Sequence, residues 1–522
     1  MSKPALFDDG PFAPCPARFN MAAHTFAPAQ DAPGRLALEV LGRPGKVLEH
    51  WSHGEMRDAV LRTAGGLAAH GLKQGDRVLL RVGNCSDFPI LYFAAIAIGA
   101  VPVPTSALLT ESEIAAILDD LEPALICLGD GLGLPETRIP TVAGTEIAAL
   151  RMSAPAAFAD TAADDPAFMV YTSGTGGRPK GVVHAHRAAW ARRMMWRDWY
   201  GLEPDDRVLH AGAFNWTYTL GAALTDPWAR GAAALIYTGT PDRHVWPDLA
   251  AAHRATIFAA VPGVYRQMLG DDAALAEGFR HLRHGLSAGE ALPQKVAEAW
   301  TRATGKPIYE ALGMSEVSTY ISFCSNRPPR AGRAGYPQPG RRVAILAESD
   351  PTPVGRGEDG LLAVSNRDPG LMLGYWRRAD ETKAAFRGEW FLTGDRARME
   401  EDGALVYLGR ADDVMNAGGY RVSPAEVEHA LLHHPGVAEA AVVEQPIREG
   451  VSIITAYYVP RGGEIAETEL SAHCAETLAR YKCPRAFRAV DTLPRGANGK
   501  ILRRKLRQME TEWPPVSKSS PT

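Results

Sequence analysis

Cysteine is scarce in this chain, with six residues among 522: Cys15, Cys85, Cys127, Cys324, Cys474 and Cys483. No two stand as C-x-x-C and none clusters with histidine at zinc-ligand spacing, which excludes a disulfide framework and a structural zinc site. A reducing, cytoplasmic compartment is expected. An excess of positive charge is also missing: 56 lysines and arginines face 60 acidic residues, for a net charge of −4. General nucleic-acid binders carry the opposite balance, so no nucleic-acid partner is expected. Nor is there a long apolar run. The longest, "FPILYFAAIAIGAVPVP" at residues 88–104, is interrupted by three prolines and a glycine and falls short of the roughly 20 apolar residues of a membrane span. It reads as a buried helix running into a strand. The opening "MSKPALFDDGPFAPCP" places acidic residues and prolines where a secretion signal needs unbroken apolar sequence, so no leader is expected.

What is present is a chain too long for one core, and 522 residues imply about two to four structural units. Over residues 51–340, β-rich runs alternate with helical stretches. "RVLLRVG" (77–83), "ALICLGD" (124–130), "AAALIYTG" (232–239) and "TIFAAVP" (256–262) are continuous apolar runs with branched residues, the pattern of interior strands. Between the first two, "TESEIAAILDDL" sets Ile114, Ile117, Leu118 and Leu121 on one helical face, with Thr110 and Glu113 at capping-box spacing. This alternation predicts an α/β architecture with largely parallel sheets.

After Pro339 the character changes. "RRVAILAESD", "GLLAVSN" and "ALVYLGR" read as strands separated by turns at Asp359-Gly360 and Asp402-Gly403, a small antiparallel or barrel-like unit. Beyond "GRADD" (409–413), Ser423, Pro424 and Glu426 give a helix start, followed by strands at 437–443 and 452–459 and a helix before Tyr481. The expected fold class is therefore α/β: a large N-terminal domain (1–410) of mixed sheets with flanking helices and a small barrel-like unit, plus a smaller C-terminal α+β domain (411–510). The polar, proline-containing tail 511–522 is expected to be disordered.

The stretch with the most chemical content is "YTSGTGGRPKG" at 171–181. Glycines let a backbone close on an anion, and hydroxyls and a lysine add donors, so the loop reads as a phosphate cradle. It is not a Walker A loop. Counting from Gly174, Pro179 stands where the second glycine belongs and Gly181 where the magnesium-binding hydroxyl belongs.

Six further motifs follow in order: "SAGEALP" (287–293), "LGMSE" (312–316), "GYW" (374–376), "TGD" (393–395), "GRADDVMNAGGYRVSPAEVE" (409–428) and "PRGANGKILRRKL" (494–506). Together with the phosphate loop they resemble the adenylate-forming superfamily of acyl-CoA synthetases, nonribosomal-peptide adenylation domains and luciferases. The resemblance covers most of the chain after residue 165. It implies an enzyme that activates a carboxylic acid with ATP and Mg²⁺, turning a poor leaving oxygen into part of AMP, and then passes the acyl group to coenzyme A. By resemblance, Thr172, Ser173, Gly174, Thr175 and Lys180 line the phosphate site, and Glu316 holds Mg²⁺, which suits an oxygen ligand. Asp395 accepts the ribose hydroxyls with Arg410 assisting, while Ala288, Gly289, Glu290 and the stretch from Glu310 to Gly313 border the adenine. Lys500 matches the mobile lysine of adenylation. Asp412 matches the hinge about which a mobile small domain pivots, and Gly418 and Gly419 match the wall of a pantetheine tunnel.

Two departures from the common pattern stand in the second motif: Leu312 replaces a tyrosine and Ser315 replaces a threonine, keeping a hydroxyl near the phosphate. With the continuation "YISFCSNRP", they are most similar to the benzoate-CoA ligase branch. That resemblance sets Trp216, Thr217, Tyr218, Thr319 and Tyr320 around the acyl group, and bulky walls favour a small aromatic or short acyl acid. Strand alternation in "FNWTYTL" would put Trp216 and Tyr218 on one face; the alternative is that both are core aromatics. The alternative acceptor is a carrier protein's phosphopantetheine, which the same tunnel would admit.

Overall fold

A computed structural model describes residues 3–173, 179–240, 242, 244–411, 415–417, 420–422, 424–448, 451–478, 482–496 and 501–509. Gly174, Thr175, Asp412, Gly418, Gly419, Lys500 and the tail 511–522 lie outside the described residues. The chain divides into two compact units, one of Met1–Arg356, Ala363–Thr393 and Met399–Val406, the other of Gly357–Leu362, Gly394–Arg398 and Tyr407–Thr522.

In the larger unit the expected interior strands form parallel pairs. Arg77–Arg81 lies between Val101–Pro104 and Leu125–Leu128 in a four-stranded parallel sheet completed by Thr141–Ala143. Ala233–Tyr237 and Ile257–Ala260 flank Arg207–His210 in a nine-stranded sheet that continues in parallel through His284–Ala288 to Ile308–Met314. Its ends turn antiparallel, at Lys46–Ser52 on one side and at Ser318–Ser322 and Tyr336–Pro337 on the other. This nine-stranded sheet is therefore mixed, parallel inside and antiparallel at its ends.

Local sequence explains the elements that frame these sheets. The helix Glu111–Leu121 opens with the Thr110/Glu113 capping box and buries Ile114, Ile117, Leu118 and Leu121. The longest apolar run becomes the helix Asp87–Ala97, buried from Phe88 to Ala97, followed by the strand Val101–Pro104. No helix among the described residues is long and apolar enough to cross a membrane.

The strands expected after Pro339 are present at Arg342–Leu346, Asp359–Ser365 and Leu405–Arg410. Asp402-Gly403 forms a turn, with Gly403 at φ +85°. Asp359-Gly360 does not. It starts a strand, and the reversal comes earlier at Gly357, which takes the left-handed φ of +85°. The strand Leu6–Asp8 pairs antiparallel with Arg342–Leu346, Leu6 opposite Ala344.

The smaller unit is α+β. Val437–Arg448 and Val451–Pro460 pair antiparallel, and Ala486–Ala489 adds in parallel. The helices Pro424–Leu432 and Glu467–Thr477 supply Val427, Leu431 and Leu470 to a core with Val442, Ile454 and Tyr458.

Candidate functional site

The two ends of the motif at 171–181 lie in paired strands. Pro166–Ser173 and Pro179–Ala185 pair antiparallel with Thr172 opposite Lys180 and Ser173 opposite Pro179, so the flanks of the loop are held together by the sheet. The third strand, Gly374–Tyr375, lies against the second flank with Tyr375 opposite Val182. This brings the "GYW" motif beside the phosphate motif: Lys180 Nζ lies 5.2 Å from the centre of the Tyr375 ring. The same ammonium is ion-paired with Glu381 on the helix Ala379–Ala384.

Glu316 sits in the tight connection between Ile308–Met314 and Ser318–Ser322. These strands pair with a register shift at Leu312/Gly313, and a Cβ on Gly313 would stand 2.6 Å from the Ser318 carbonyl oxygen, so only glycine lets the hairpin close. Ser318 takes φ +73°, a conformation a side chain rarely adopts. Neighbouring groups hold it there. Arg192 donates to Ser318 Oγ at 2.5 Å while pairing with Asp226, and Arg341 donates to the Thr319 carbonyl at 2.9 Å while pairing with Asp368. His184 hydrogen-bonds the Ser315 carbonyl through Nε2 at 2.7 Å. Burial lowers its pKa to about 4, so it is the neutral ring that donates. Within this frame the Tyr375 hydroxyl donates to Glu316 Oε1 at 2.8 Å.

On the proposed adenine side, Ala288 closes the strand His284–Ala288 opposite Ala311, and Gly289 follows at φ +99°. Glu310 accepts the Leu292 N–H at 2.8 Å, and burial pushes its carboxyl up to about 8. Glu290 is partly buried on the loop after Gly289.

The acyl-side stretch is not a strand. Trp216 is the N-cap of a short helix, Thr217–Thr219, which runs into the π-helical turn Leu220–Thr225. Residues two apart on a helix point in different directions, so Trp216 and Tyr218 do not share a face by alternation. Tyr218 is anchored: its hydroxyl donates to the Leu286 carbonyl at 3.1 Å, and its ring stands edge-on to His210 at 4.6 Å. Trp216 remains partly buried. Tyr320 is fully buried and Thr319 is 9% exposed, both within their strand. A cavity of about 40 Å³ touches Thr217, Leu220 and Gly221 from this stretch and Ser315, Val317 and Ser318 from the facing one.

In the smaller unit, Asp395 is 5% exposed and accepts from the Tyr407 hydroxyl at 3.3 Å and from Arg410 Nη1 at 3.4 Å. Arg503, one of the basic residues near the end of the chain, is held by Glu428 in two contacts of 2.7 Å. That pairing gives it a structural partner.

Comparison with known proteins fits this geometry. The AMP-binding enzyme family matches residues 26–376, and the AMP-binding enzyme C-terminal domain matches residues 426–500. The chain is an AMP-binding enzyme. It is 35% identical over 521 residues to the benzoate–CoA ligase of Thauera aromatica, covering 94% of this chain and 96% of that protein. It is 32% identical over 479 residues to the 3-hydroxybenzoate–CoA ligase of Aromatoleum sp. (strain CIB), covering 88% and 91%. The crystal structure of a benzoate CoA ligase from Burkholderia xenovorans LB400 superposes with a TM-score of 0.82 at 30% identity, over 94% of this chain and 100% of that one. The expected superfamily, its benzoate-CoA ligase-like branch and the α/β fold with a smaller C-terminal domain are borne out.

Several residues that organise the site of this AMP-binding enzyme have no obvious signature in one sequence. Tyr375 stands in a quoted motif, yet its bond to Glu316 spans 59 positions. Asp120, which accepts the Tyr171 hydroxyl at 2.8 Å and contacts Arg378 at 3.1 Å, looks in sequence like part of a solvated helix face. Arg192 and Arg341 look like surface charges until their buried aspartates are seen.

Proposed function

We propose that this AMP-binding enzyme is an ATP-dependent carboxylic acid–CoA ligase acting on small aromatic acids. The observation that carries this reading is a pair of opposite charges set on one aromatic side chain: the Tyr375 hydroxyl holds Glu316, and its ring faces the Lys180 ammonium. A triphosphate bound with a divalent cation needs both, a carboxylate for the cation and an ammonium for the phosphate oxygens. No group of three or more histidine, cysteine, aspartate or glutamate side chains forms a metal cage among the described residues. Glu316 would suit Mg²⁺ as a single oxygen ligand, and the bound ion would supply charge neutralisation for the leaving pyrophosphate.

In the first step a carboxylate oxygen of the acid attacks the α-phosphorus of ATP. An O–P bond forms, the bond from that phosphorus to the bridging oxygen breaks, and pyrophosphate leaves with the electron pair. In the second step the CoA sulfur attacks the acyl carbon, a C–S bond forms, the C–O bond to AMP breaks, and the thiol proton is lost. Thr172, Ser173, Gly174, Thr175 and Lys180 are assigned to the phosphates, and Ala288, Gly289, Glu290, Glu310 and Gly313 to the adenine. Asp395, braced by Tyr407 and Arg410, is assigned to the ribose. Lys500 is assigned to adenylation, Gly418 and Gly419 to the pantetheine arm, and Asp412 to the hinge between a body of 1–410 and a lid of 411–510.

The aromatic preference rests on the relatives that match nearly end to end and on Trp216, Thr217, Tyr218, Thr319 and Tyr320 as walls. Those relatives are named as CoA ligases, which disfavours the carrier-protein reading. No disulfide forms among the described residues, in keeping with a cytoplasmic enzyme. The test is a panel of benzoate, hydroxybenzoates and straight-chain acids, with AMP and pyrophosphate release followed with and without CoA. Benzoate-type acids should give the highest kcat/KM, with sustained turnover only when CoA is present. A preference for long straight-chain acids overturns the aromatic assignment.

A further inference from the structure

The charge on Lys180 already has a partner. Its ammonium pairs with Glu381 while lying over the Tyr375 ring, and the other Glu381 oxygen is 3.7 Å from Arg378 Nε. Arg378 is in turn held by Asp120 at 3.1 Å. A triphosphate approaching Lys180 therefore meets a carboxylate on the same ammonium, and two anionic groups compete for one cation. The competition is reversible because neither partner is sealed in: the Lys180 side chain is 24% exposed and that of Glu381 is 44% exposed. Released from Lys180, Glu381 keeps water and Arg378, so no unpaired charge is left buried.

We infer that Glu381 is a displaceable counter-charge that sets the affinity of this site for polyphosphate, an inference that rests on reading Lys180 as a phosphate ligand. In the free enzyme Glu381 holds Lys180 over Tyr375. During turnover it weakens the hold on ATP and, by the same competition, on pyrophosphate, so that the first product leaves faster.

Isothermal titration calorimetry of the full-length wild type, Glu381→Gln, Lys180→Ala and the double variant tests this, with Mg²⁺–ATP and Mg²⁺–pyrophosphate as separate ligands at low and high salt. Glutamine keeps the shape of the side chain and removes only its charge. Glu381→Gln should bind both ligands about three- to tenfold tighter, with the gain shrinking as salt rises and vanishing when Lys180 is absent. Unchanged or weaker binding by Glu381→Gln, with Lys180→Ala still losing affinity, overturns the counter-charge. Unchanged affinity in Lys180→Ala overturns the phosphate assignment of Lys180, and the counter-charge with it.

Discussion

Two sets of ion pairs in the larger unit differ in what surrounds them. Lys180 and Glu381 are 24% and 44% exposed, whereas Arg341 and Asp368 are 1% and 0% exposed and Arg192 and Asp226 are 12% and 1% exposed. An exposed pair exchanges partners with water at little cost, while a buried pair leaves an uncompensated charge when either member is removed. The exposed pair lies at the hairpin strand we assign to phosphate, where a ligand would come and go. The buried ones grip Ser318 and the Thr319 carbonyl, just beyond Glu316, where a fixed backbone is wanted.

Removing one buried partner should have the largest effect. Asp368→Ala strands the Arg341 guanidinium, which donates to both Asp368 oxygens at 2.8 Å, and should cost about 3–5 kcal/mol of stability. A thermal melt should show a drop of many degrees; a melt within a degree or two of wild type would mean that water reaches Arg341.

Next in size is Tyr375→Phe, which keeps the ring beneath Lys180 and deletes the hydroxyl on Glu316. A hydrogen bond to a charged group is worth about 1.5–3 kcal/mol, so kcat/KM should fall roughly ten- to a hundredfold, with a raised Mg²⁺ requirement and little change in melting temperature. Loss of stability with unchanged Mg²⁺ dependence would return Tyr375 to a purely structural role.

A third test adds a partly buried acid whose shift has no cationic contribution. Glu310 is pushed up to about 8 by burial, so between its ordinary value of 4.5 and about 8 the folded chain holds a proton that the unfolded chain has lost. Stability from this group is therefore present below about pH 4.5 and declines as pH rises toward 8. Glu310→Gln should flatten that decline, gaining on wild type at pH 8 relative to pH 5 in melts at both values. Parallel pH dependence in the two proteins would show that water or a counter-charge keeps Glu310 ionised.

The same contrast explains what one sequence discloses. Features built from neighbours in the chain were legible: the Thr110/Glu113 capping box, the apolar interior strands and the helix-to-strand run at 88–104 all occur where expected. The motif at 171–181 and the contact of Asp395 with Arg410 lie in recognisable motifs, and their assignment to phosphate and ribose rests on resemblance. Features made by distant segments were not legible. Tyr375 on Glu316, Glu381 on Lys180 and the Leu6–Asp8 strand on Arg342–Leu346 all depend on topology. Two local readings failed for local reasons. Alternation at Trp216 and Tyr218 gave way to a helical turn, and Asp359-Gly360 entered a strand because Gly357 had already made the turn.

Acid-dependent exchange of label between pyrophosphate and ATP, in the absence of CoA, tests the central claim most directly when run on wild type and Glu316→Ala with benzoate and 3-hydroxybenzoate. Wild type should exchange label with these acids and release AMP once CoA is added, while Glu316→Ala should lose exchange by about a hundredfold or more at limiting Mg²⁺. Release of ADP and phosphate in place of AMP and pyrophosphate, or exchange that survives in Glu316→Ala at wild-type rate, would contradict the account.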